Sequence, residues 1–281
     1  MKEIKCDVLV VGAGPIGCTM ASIIAKKNID VVAIDRKFQV ASPLRGGEAV
    51  CKPFYDELME KLPILKKVPK KETEGTSLEA GNCKLISREE KWKAYVLERK
   101  IFEKTLAEEA IKSGANLMLA SELIKVNQKK GNVTEAIVRT MRGKYQIKPR
   151  IIVAADGFAS FFRKLLNFDV PNKDWASAIE FEMANIKFRE PDLLEVFFME
   201  AIPGGYSYIF PKFGTRGLTG VAMRPQFNGG KSALHIFNQI VTNYPAMSSQ
   251  LKDAHILETR GGCIDVSGPF EEPVSSNILF V

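Results

Sequence analysis

Gly12, Gly14 and Gly17 stand in the spacing GxGxxG, directly after the apolar run Asp7-Val-Leu-Val-Val11 and directly before a stretch of small residues with helical character that runs to about Lys27. Glycines so spaced let the chain turn tightly, let the backbone approach a diphosphate and let a helix pack close to a sheet. The diphosphate then meets exposed N–H groups at the positive end of that helix. Asp35 closes the next apolar run, Val31 to Ile34, where a carboxylate can accept hydrogen bonds from both hydroxyls of a ribose. Strand, glycine turn, helix, strand and acid together specify a dinucleotide site, whereas the triplet alone would be weak. The acid argues against a 2'-phosphate there, although the adjacent Arg36 weakens that argument.

The elements that must hold these residues form one βαβ unit, with strands at residues 7–11 and 31–34 and a helix between them. Residues 36–90 carry few periodic runs and are expected to be loops, with a short helix around Lys52 to Leu62. From Glu98 to Ser113 a helical stripe returns, closed by Gly114. Short strands are expected at 116–120, 123–127, 133–140 and 144–147, with turns at Lys129 to Asn132 and at Arg142-Gly143. Ile151 to Ala155 is fully apolar and ends at Asp156-Gly157, as a central parallel strand would. Beyond Asp169, alternation near 179–183, 196–199, 206–210 and 218–223 suggests a second sheet, with a helix at 231–244 and a strand at 260–266 returning to the first domain.

The fold class is therefore α/β: a Rossmann-type module with a β-meander insertion, plus an α+β substrate domain with an antiparallel sheet. The expected boundaries are 1–170, 171–258 and 259–281. Asn277 to Val281 reads as the middle of a buried strand, so part of the C-terminal region is expected to be missing.

Among dinucleotides, an NAD dehydrogenase repeats βα units directly. Here a long excursion, an arginine-bearing helix, a meander and Ala154-Ala-Asp-Gly157 follow instead, the layout of large FAD proteins. The segments DVLVVGAGPIG, RGGEAVCK from Arg45, ERKIFEKTLAEEAIKSGA from Glu98, VAADGFASFFRK from Val153, PGGYSYIFPK from Pro203 and RGGCIDV from Arg260 resemble the geranylgeranyl reductase family, within the aromatic-hydroxylase-like FAD superfamily. The resemblance covers nearly the whole chain. The segment from Pro203 matches a family pattern PxxYxWxFP, with Tyr208 in the tryptophan position.

The resemblance implies FAD as cofactor. Gly12, Gly14, Pro15, Gly17, Asp35 and Arg36 would lie at its ADP half, and Asp156 and Gly157 at its adenosine side, with Ser160 and Arg163 supporting that loop. Gly46, Gly47 and Glu48 would lie along a mobile segment near the isoalloxazine, and Arg99 would reach the cofactor from a helix start. Many relatives carry cysteine in the position of Gly46; Cys51 is near in sequence but not equivalent. No residue is marked as the chemical proton donor, and Glu48, Cys51, Tyr206 and Tyr208 are the candidates. The resemblance further implies saturation of geranylgeranyl double bonds in archaeal ether lipids or their precursors, with electrons from NAD(P)H or a ferredoxin.

The bland readings stay open beside these. Tyr206, Tyr208 and Phe210 share one strand face, which serves either as sheet core or as an apolar wall for a prenyl chain. Met183, Met199 and Met223 could fill the same wall or the core, Cys263 reads as a small buried hydrophobe, and Glu48 as a solvated loop acid. Two other functions remain: an FAD-dependent aromatic monooxygenase or halogenase, and a non-enzymatic prenyl-lipid escort. Trp92 and Trp175 do not form the paired-tryptophan motif of halogenases.

Composition bounds the rest. Forty Lys+Arg against 33 Asp+Glu over 281 residues leave a charge of +7, spread along the chain apart from Lys61, Lys66, Lys67, Lys70 and Lys71. That pattern favours anionic partners in general, with no basic reader motif for nucleic acid. The five cysteines make no CxxC pair and the only histidines are His235 and His255, so no metal is expected. No signal peptide or membrane span is recognisable, which points to a cytoplasmic chain, with contact to a membrane face left open.

Overall fold

The computed structural model describes residues 1–166, 175–268 and 271–281. They form two compact units. The first comprises Met1–Ser42, Lys100–Asp169 and Gly268–Val281, the second Pro43–Arg99 and Val170–Ser267.

In the first unit, β1 (Lys2–Val11) and β2 (Val31–Ile34) run parallel and flank α1 (Pro15–Ala25) in sequence. The strand Gly143–Ala154 pairs parallel with β1 on its other side, followed by Ile278–Phe280, while Asn116–Met118 lies beyond β2. An antiparallel pair, Ser121–Lys129 and Asn132–Thr140, extends from Gly143–Ala154. The continuous apolar runs are explained by burial on both faces. Val8, Val10, Val31 and Ala33 pack with Ala21 and Ala25 of α1, while Leu9, Val11, Val32 and Ile34 pack with Phe162 and Val138. The strands expected at 144–147 and 151–155 are one strand. β1 reaches back to Lys2 and supplies ladder partners from Tyr145 to Ala154, so Pro149, opposite Cys6, does not interrupt it.

The second unit is built on a seven-stranded sheet in the order His255–Asp265, Trp175–Ala184, Gly217–Met223, Gly205–Pro211, Leu193–Phe198, Gly75–Ala80, Cys83–Ser87. Helices Ala233–Asn243 and Pro245–Leu251 cover one face through Phe181, Met183, Phe197, Ile209, Val221 and Met223. The other face carries a three-stranded sheet of Ala49–Cys51, Ala94–Leu97 and Lys70–Thr73, packed through Ala94, Val96, Leu194, Tyr208 and Leu218.

The division differs from the expected domains in two places. The segment Pro43–Arg99 groups with the second unit, because Gly75–Ala80 pairs in parallel with Leu193–Phe198. The strand expected to return to the first domain runs His255–Asp265 and pairs antiparallel with Trp175–Ala184, because ten residue pairs of register hold it to the second sheet. Residues 36–90 are also richer in strands than expected: alternation there spans only three to six residues per strand, too short to show against a polar background. The expected boundary at 170/171 lies outside the described residues.

Phe197 is fully buried between sheet and helices. Phe197→Ala should cost about 3–5 kcal/mol, read as a lower denaturant midpoint, whereas Leu85→Ala at an exposed position should stay within about 0.5 kcal/mol.

Candidate functional site

The first unit assembles the glycine constellation by backbone contact. Gly12 has φ +105°, and a Cβ there would lie 2.2 Å from the Ala155 carbonyl oxygen. A Cβ on Gly17 would lie 1.8 Å from the Gly12 carbonyl oxygen. Both positions exclude every side chain on steric grounds. Gly14 differs: a Cβ there would meet nothing within 4 Å. The packing of the chain does not ask for glycine at this point, so the open space in front of α1 is what a closely approaching ligand would use. Pro15 occupies the first turn of α1, and no side chain caps that end, which leaves it suited to an anion. The cofactor that the sequence implies therefore fits the residues present.

Asp35 follows β2 and turns towards this loop. Its Oδ2 accepts from the Ala13 amide at 2.8 Å and its Oδ1 from the Lys37 amide at 2.8 Å. Each carboxylate oxygen keeps a further lone pair for a hydroxyl donor. Arg36 beside it is exposed. Asp156 follows the neighbouring strand, close to Gly12, and its Oδ2 accepts from the Phe161 amide at 2.6 Å. Gly157 has φ +73°, and Ser160 caps the helix Phe161–Leu165 by accepting from the Arg163 amide. These candidates, from three separate stretches, thus meet at the ends of adjacent parallel strands.

The second unit brings Glu48 and Tyr208 into a buried ionic cluster. Glu48 is not a solvated loop acid: it is 1% exposed, and its two oxygens meet Lys212 Nζ at 2.7 Å and Arg260 Nη1. Gly46 and Gly47 precede it, and Arg99 donates to the Gly47 carbonyl, so this arginine holds the glycine segment in place. Lys212 is fully buried and also reaches Glu98 at 3.1 Å and Glu182 at 3.5 Å. Arg260 Nη2 meets Glu182 at 2.8 Å and Glu258 at 3.0 Å, and Nη1 meets Glu180 at 3.3 Å. Arg216 joins Glu182 at 3.1 Å and also pairs with Glu98.

Strand register explains how Tyr208 enters this cluster. Tyr208, Gly220, Glu180 and Arg260 stand opposite one another across four successive strands. The Tyr208 ring crosses Gly220, where a Cβ would lie 2.8 Å from the phenol oxygen, and its O–H donates to Glu180 Oε2 at 2.8 Å. Burial raises the Glu180 carboxyl above its ordinary range, against the opposing pull of Tyr208 and Arg260. Burial and the Glu180 charge push the Tyr208 phenol well above its usual value.

The next row on the same face, Tyr206, Ala222, Ala178 and Gly262, is built of small residues beyond Tyr206. Tyr206 and Phe198 flank it as partly exposed rings 6.2 Å apart. The three aromatics of this strand therefore divide: Phe210 stacks on Tyr208 at 4.4 Å inside the sheet contact, and Tyr206 lies at the open end.

One open alternative is decided and two expectations are corrected. Met183 and Met223 point to the helix-covered face and are core, with Met199 packed against them, because their strand parity is opposite to that of Tyr206 and Tyr208. Cys263 is exposed, since it lies on the sheet's outermost strand. Cys51 is away from the ionic cluster, its thiol directed at the Lys91 carbonyl at 3.9 Å. Glu180, Glu182, Lys212, Arg216 and Arg260 were not singled out from the sequence. The signal was Glu180 and Glu182 alternating with Ile179, Phe181 and Met183, charges inside an otherwise apolar strand.

Comparison with known proteins agrees with this geometry. The FAD binding domain family model matches residues 5–243. A digeranylgeranylglycerophospholipid reductase of Methanocaldococcus jannaschii is 31% identical over 98% of this chain and 69% of its own length. One from Methanococcus aeolicus is 31% identical over 98% and 68%. The chain belongs to the geranylgeranyl reductase family. It is an FAD-binding oxidoreductase. Among solved structures, a geranylgeranyl bacteriochlorophyll reductase-like protein of Thermoplasma acidophilum superposes with a TM-score of 0.88 at 25% identity, over 99% of this chain and 71% of that one. A flavin-dependent brominase shares the fold, with a TM-score of 0.82 at 14% identity over 99% of this chain and 71% of that one. Among the described residues no helix is long and apolar enough to cross a membrane.

The raised Glu180 carboxyl has a sign that can be measured. Its folded value lies above its unfolded one, so its contribution to stability is complete below the ordinary carboxylate range and is lost as pH rises through the folded value. Glu180→Gln should remove that slope, flattening unfolding free energy against pH from the ordinary carboxylate value of 4.5 upwards, as read by chemical denaturation across a pH series.

Proposed function

We propose that this chain saturates carbon–carbon double bonds of geranylgeranyl chains in ether lipids or their precursors, working from the cytoplasmic face of a membrane. The observation that carries the reading is the apolar row of Tyr206, Ala222, Ala178 and Gly262 lying beside the buried Glu180 and Tyr208. A prenyl chain needs an apolar floor without large side chains, and its reduction needs a proton source close to that floor. Two relatives over 30% identical are named for lipids of this kind, which supports the same substrate class. The likeness to a brominase, at 14% identity, speaks to the fold alone.

An isolated alkene is not activated for nucleophilic attack. FAD, when bound and reduced, supplies hydride, which makes the reaction feasible only where water is excluded and the alkene is fixed. Within this reading, the amides at the start of α1 bind the diphosphate, with Gly12 and Gly17 allowing the close packing and Gly14 and Pro15 lining the approach. Asp35 accepts from the ribose hydroxyls, with Arg36 beside it, and Asp156 and Gly157 shape the adenosine side. Gly46 and Gly47 are held by Arg99, and Glu48 anchors them to Lys212 and Arg260. Tyr206 and Phe198 bracket the prenyl chain. Reduced nicotinamide or a ferredoxin supplies the electrons.

Gly14→Ala separates the cofactor role from folding. It should leave the stability of the FAD-free protein within about 0.5 kcal/mol of wild type yet weaken FAD binding by about tenfold or more, measured by flavin fluorescence titration. Gly17→Ala should lower both. Equal FAD affinity in Gly14→Ala and wild type would remove the loop from the cofactor site.

The reaction itself is tested by anaerobic incubation of the dithionite-reduced, FAD-loaded protein with geranylgeranyl ether lipid. Mass spectrometry should show lipid gaining hydrogen in pairs. Unchanged lipid beside a bound and reducible flavin rejects the alkene reading, as does oxygen consumption coupled to hydroxylation of an added aromatic.

A further inference from the structure

From Ala201 to Lys252 the chain contains no aspartate or glutamate, although 33 acids are spread over its 281 residues. The stretch supplies the strands Gly205–Pro211 and Gly217–Met223, the turn that follows them, and both helices that cover this sheet. Burial accounts for the absence in the strands but not in the turn or on the outer side of the helix Ala233–Asn243, where Leu234, His235, Asn238, Gln239 and Thr242 are exposed. The solvent side of a helix usually carries charged residues. This one carries no acid, and no lysine or arginine either.

One end of the sheet adds apolar surface. Phe198 and Tyr206 stand at the ends of neighbouring strands with rings 6.2 Å apart. Two residues before Tyr206, Gly204 has φ +70°, and a Cβ there would lie 2.3 Å from the Phe227 ring. The bare backbone therefore seats that ring at the start of the strand, and the Arg224 amide ties the turn to the same place by donating to the Gly204 carbonyl. The turn closes through the Asn228 amide on the Pro225 carbonyl and the Lys231 amide on the Asn228 carbonyl. Ser232 then caps the helix by accepting from the His235 amide, which sets Leu234 in the first helical turn. Phe198, Tyr206, Phe227 and Leu234 are 40–50% exposed. A single exposed ring needs no explanation, but large apolar side chains on converging segments make a patch that a partner would cover. Arg224 and Lys231 flank Phe227 on the same turn, and among the described residues neither pairs with an acid. Glu200, exposed two residues beyond Phe198, brings an acid to the rim.

We propose that this end of the second unit is the surface by which the protein docks on an anionic lipid bilayer. The four apolar side chains enter the headgroup region, Arg224 and Lys231 meet lipid phosphates, and the acid-free helix side lies against the surface without repulsion. Two cations are too few to hold a nucleic acid, and a bilayer offers apolar depth beneath its charge. The choice of a bilayer among anionic partners rests on the lipid reading above. Tyr206 belongs both to this patch and to the row of Ala222, Ala178 and Gly262, so the docked face and the proposed prenyl floor share an edge.

The surface is tested by flotation of the full chain, at physiological salt, with vesicles of phosphatidylcholine and phosphatidylglycerol in equal parts and with vesicles of phosphatidylcholine alone. The protein should float with the mixed vesicles and bind the neutral ones about tenfold more weakly or worse, because each cation near an anionic surface strengthens binding about fivefold. Lys231→Glu and Leu234→Ser, both at exposed positions, should each lower binding to the mixed vesicles about fivefold or more while leaving the unfolding midpoint at the wild-type value. Lys66→Glu combined with Lys67→Glu, on the lysine-rich segment of the same unit, should leave binding unchanged, since charges more than about 8 Å from the bilayer are screened. No flotation with the mixed vesicles, equal binding to the neutral ones, or an equal loss in the Lys66 and Lys67 variant overturns the proposal. So does self-association that Leu234→Ser abolishes while vesicles stay unbound. Docking and chemistry fail separately: flotation by a protein that leaves detergent-dispersed geranylgeranyl ether lipid unchanged upholds the surface and rejects the substrate reading, and reduced lipid without flotation does the reverse.

Discussion

The first unit depends on two backbone approaches that no side chain could survive: Gly17 against the Gly12 carbonyl, and Gly12 against the Ala155 carbonyl. They draw the start of α1 onto the ends of β1 and the strand Gly143–Ala154. Hydrogen bonds from Gly12 to the Ile34 carbonyl and from Ala155 to the Val11 carbonyl lock the same corner. Once the corner is closed, Ala13 presents its amide to Asp35, and the acid is oriented by two backbone amides. The helix start is left uncapped, with open space at Gly14. An arrangement that spends two obligatory glycines on packing and a third on empty space is explained by a ligand that approaches the backbone itself.

In the second unit the organising force is different. Buried ion clusters add little net stability over apolar packing, but they enforce one arrangement, because any other leaves a charge without its partner. Glu48 illustrates this. The glycines before it give the segment conformational freedom, yet Lys212, Arg260 and a backbone bond from Leu97 to its carbonyl fix the acid to two sheets at once.

What could be read from the sequence follows the range of the interaction. The βαβ unit was legible because Gly12, Gly14, Gly17 and Asp35 act within one short stretch, and burial on both strand faces writes itself as unbroken apolar runs. The strand Ile278–Phe280 was legible for the same reason. The ionic cluster was not, because its members are drawn from positions 48, 98, 180, 182, 212, 216, 258 and 260 and meet only through sheet register. The placement of Gly75–Ala80 was hidden likewise: its partner, Leu193–Phe198, lies more than a hundred residues away. Glu48, Tyr208 and Arg99 were flagged individually, but the contacts that give each its role depend on residues that carried no local mark.

The strand Gly205–Pro211 shows how such register converts packing into chemistry. Its three aromatics point the same way, so alternation alone would assign them one role. What separates them is the neighbour across the ladder. Phe210 faces Leu218 and becomes core; Tyr206 faces Ala222, which leaves its ring partly exposed above a low floor. Tyr208 faces Gly220, and the missing side chain opens a path across one whole strand to Glu180. A larger residue at 220 would turn the phenol outward, leave Glu180 buried without its hydrogen bond, and end the adjacency between an apolar floor and a carboxyl. One glycine in a sheet interior, unfavourable for strand stability by itself, is therefore the feature that lets a wall of aromatic packing also carry a polar line.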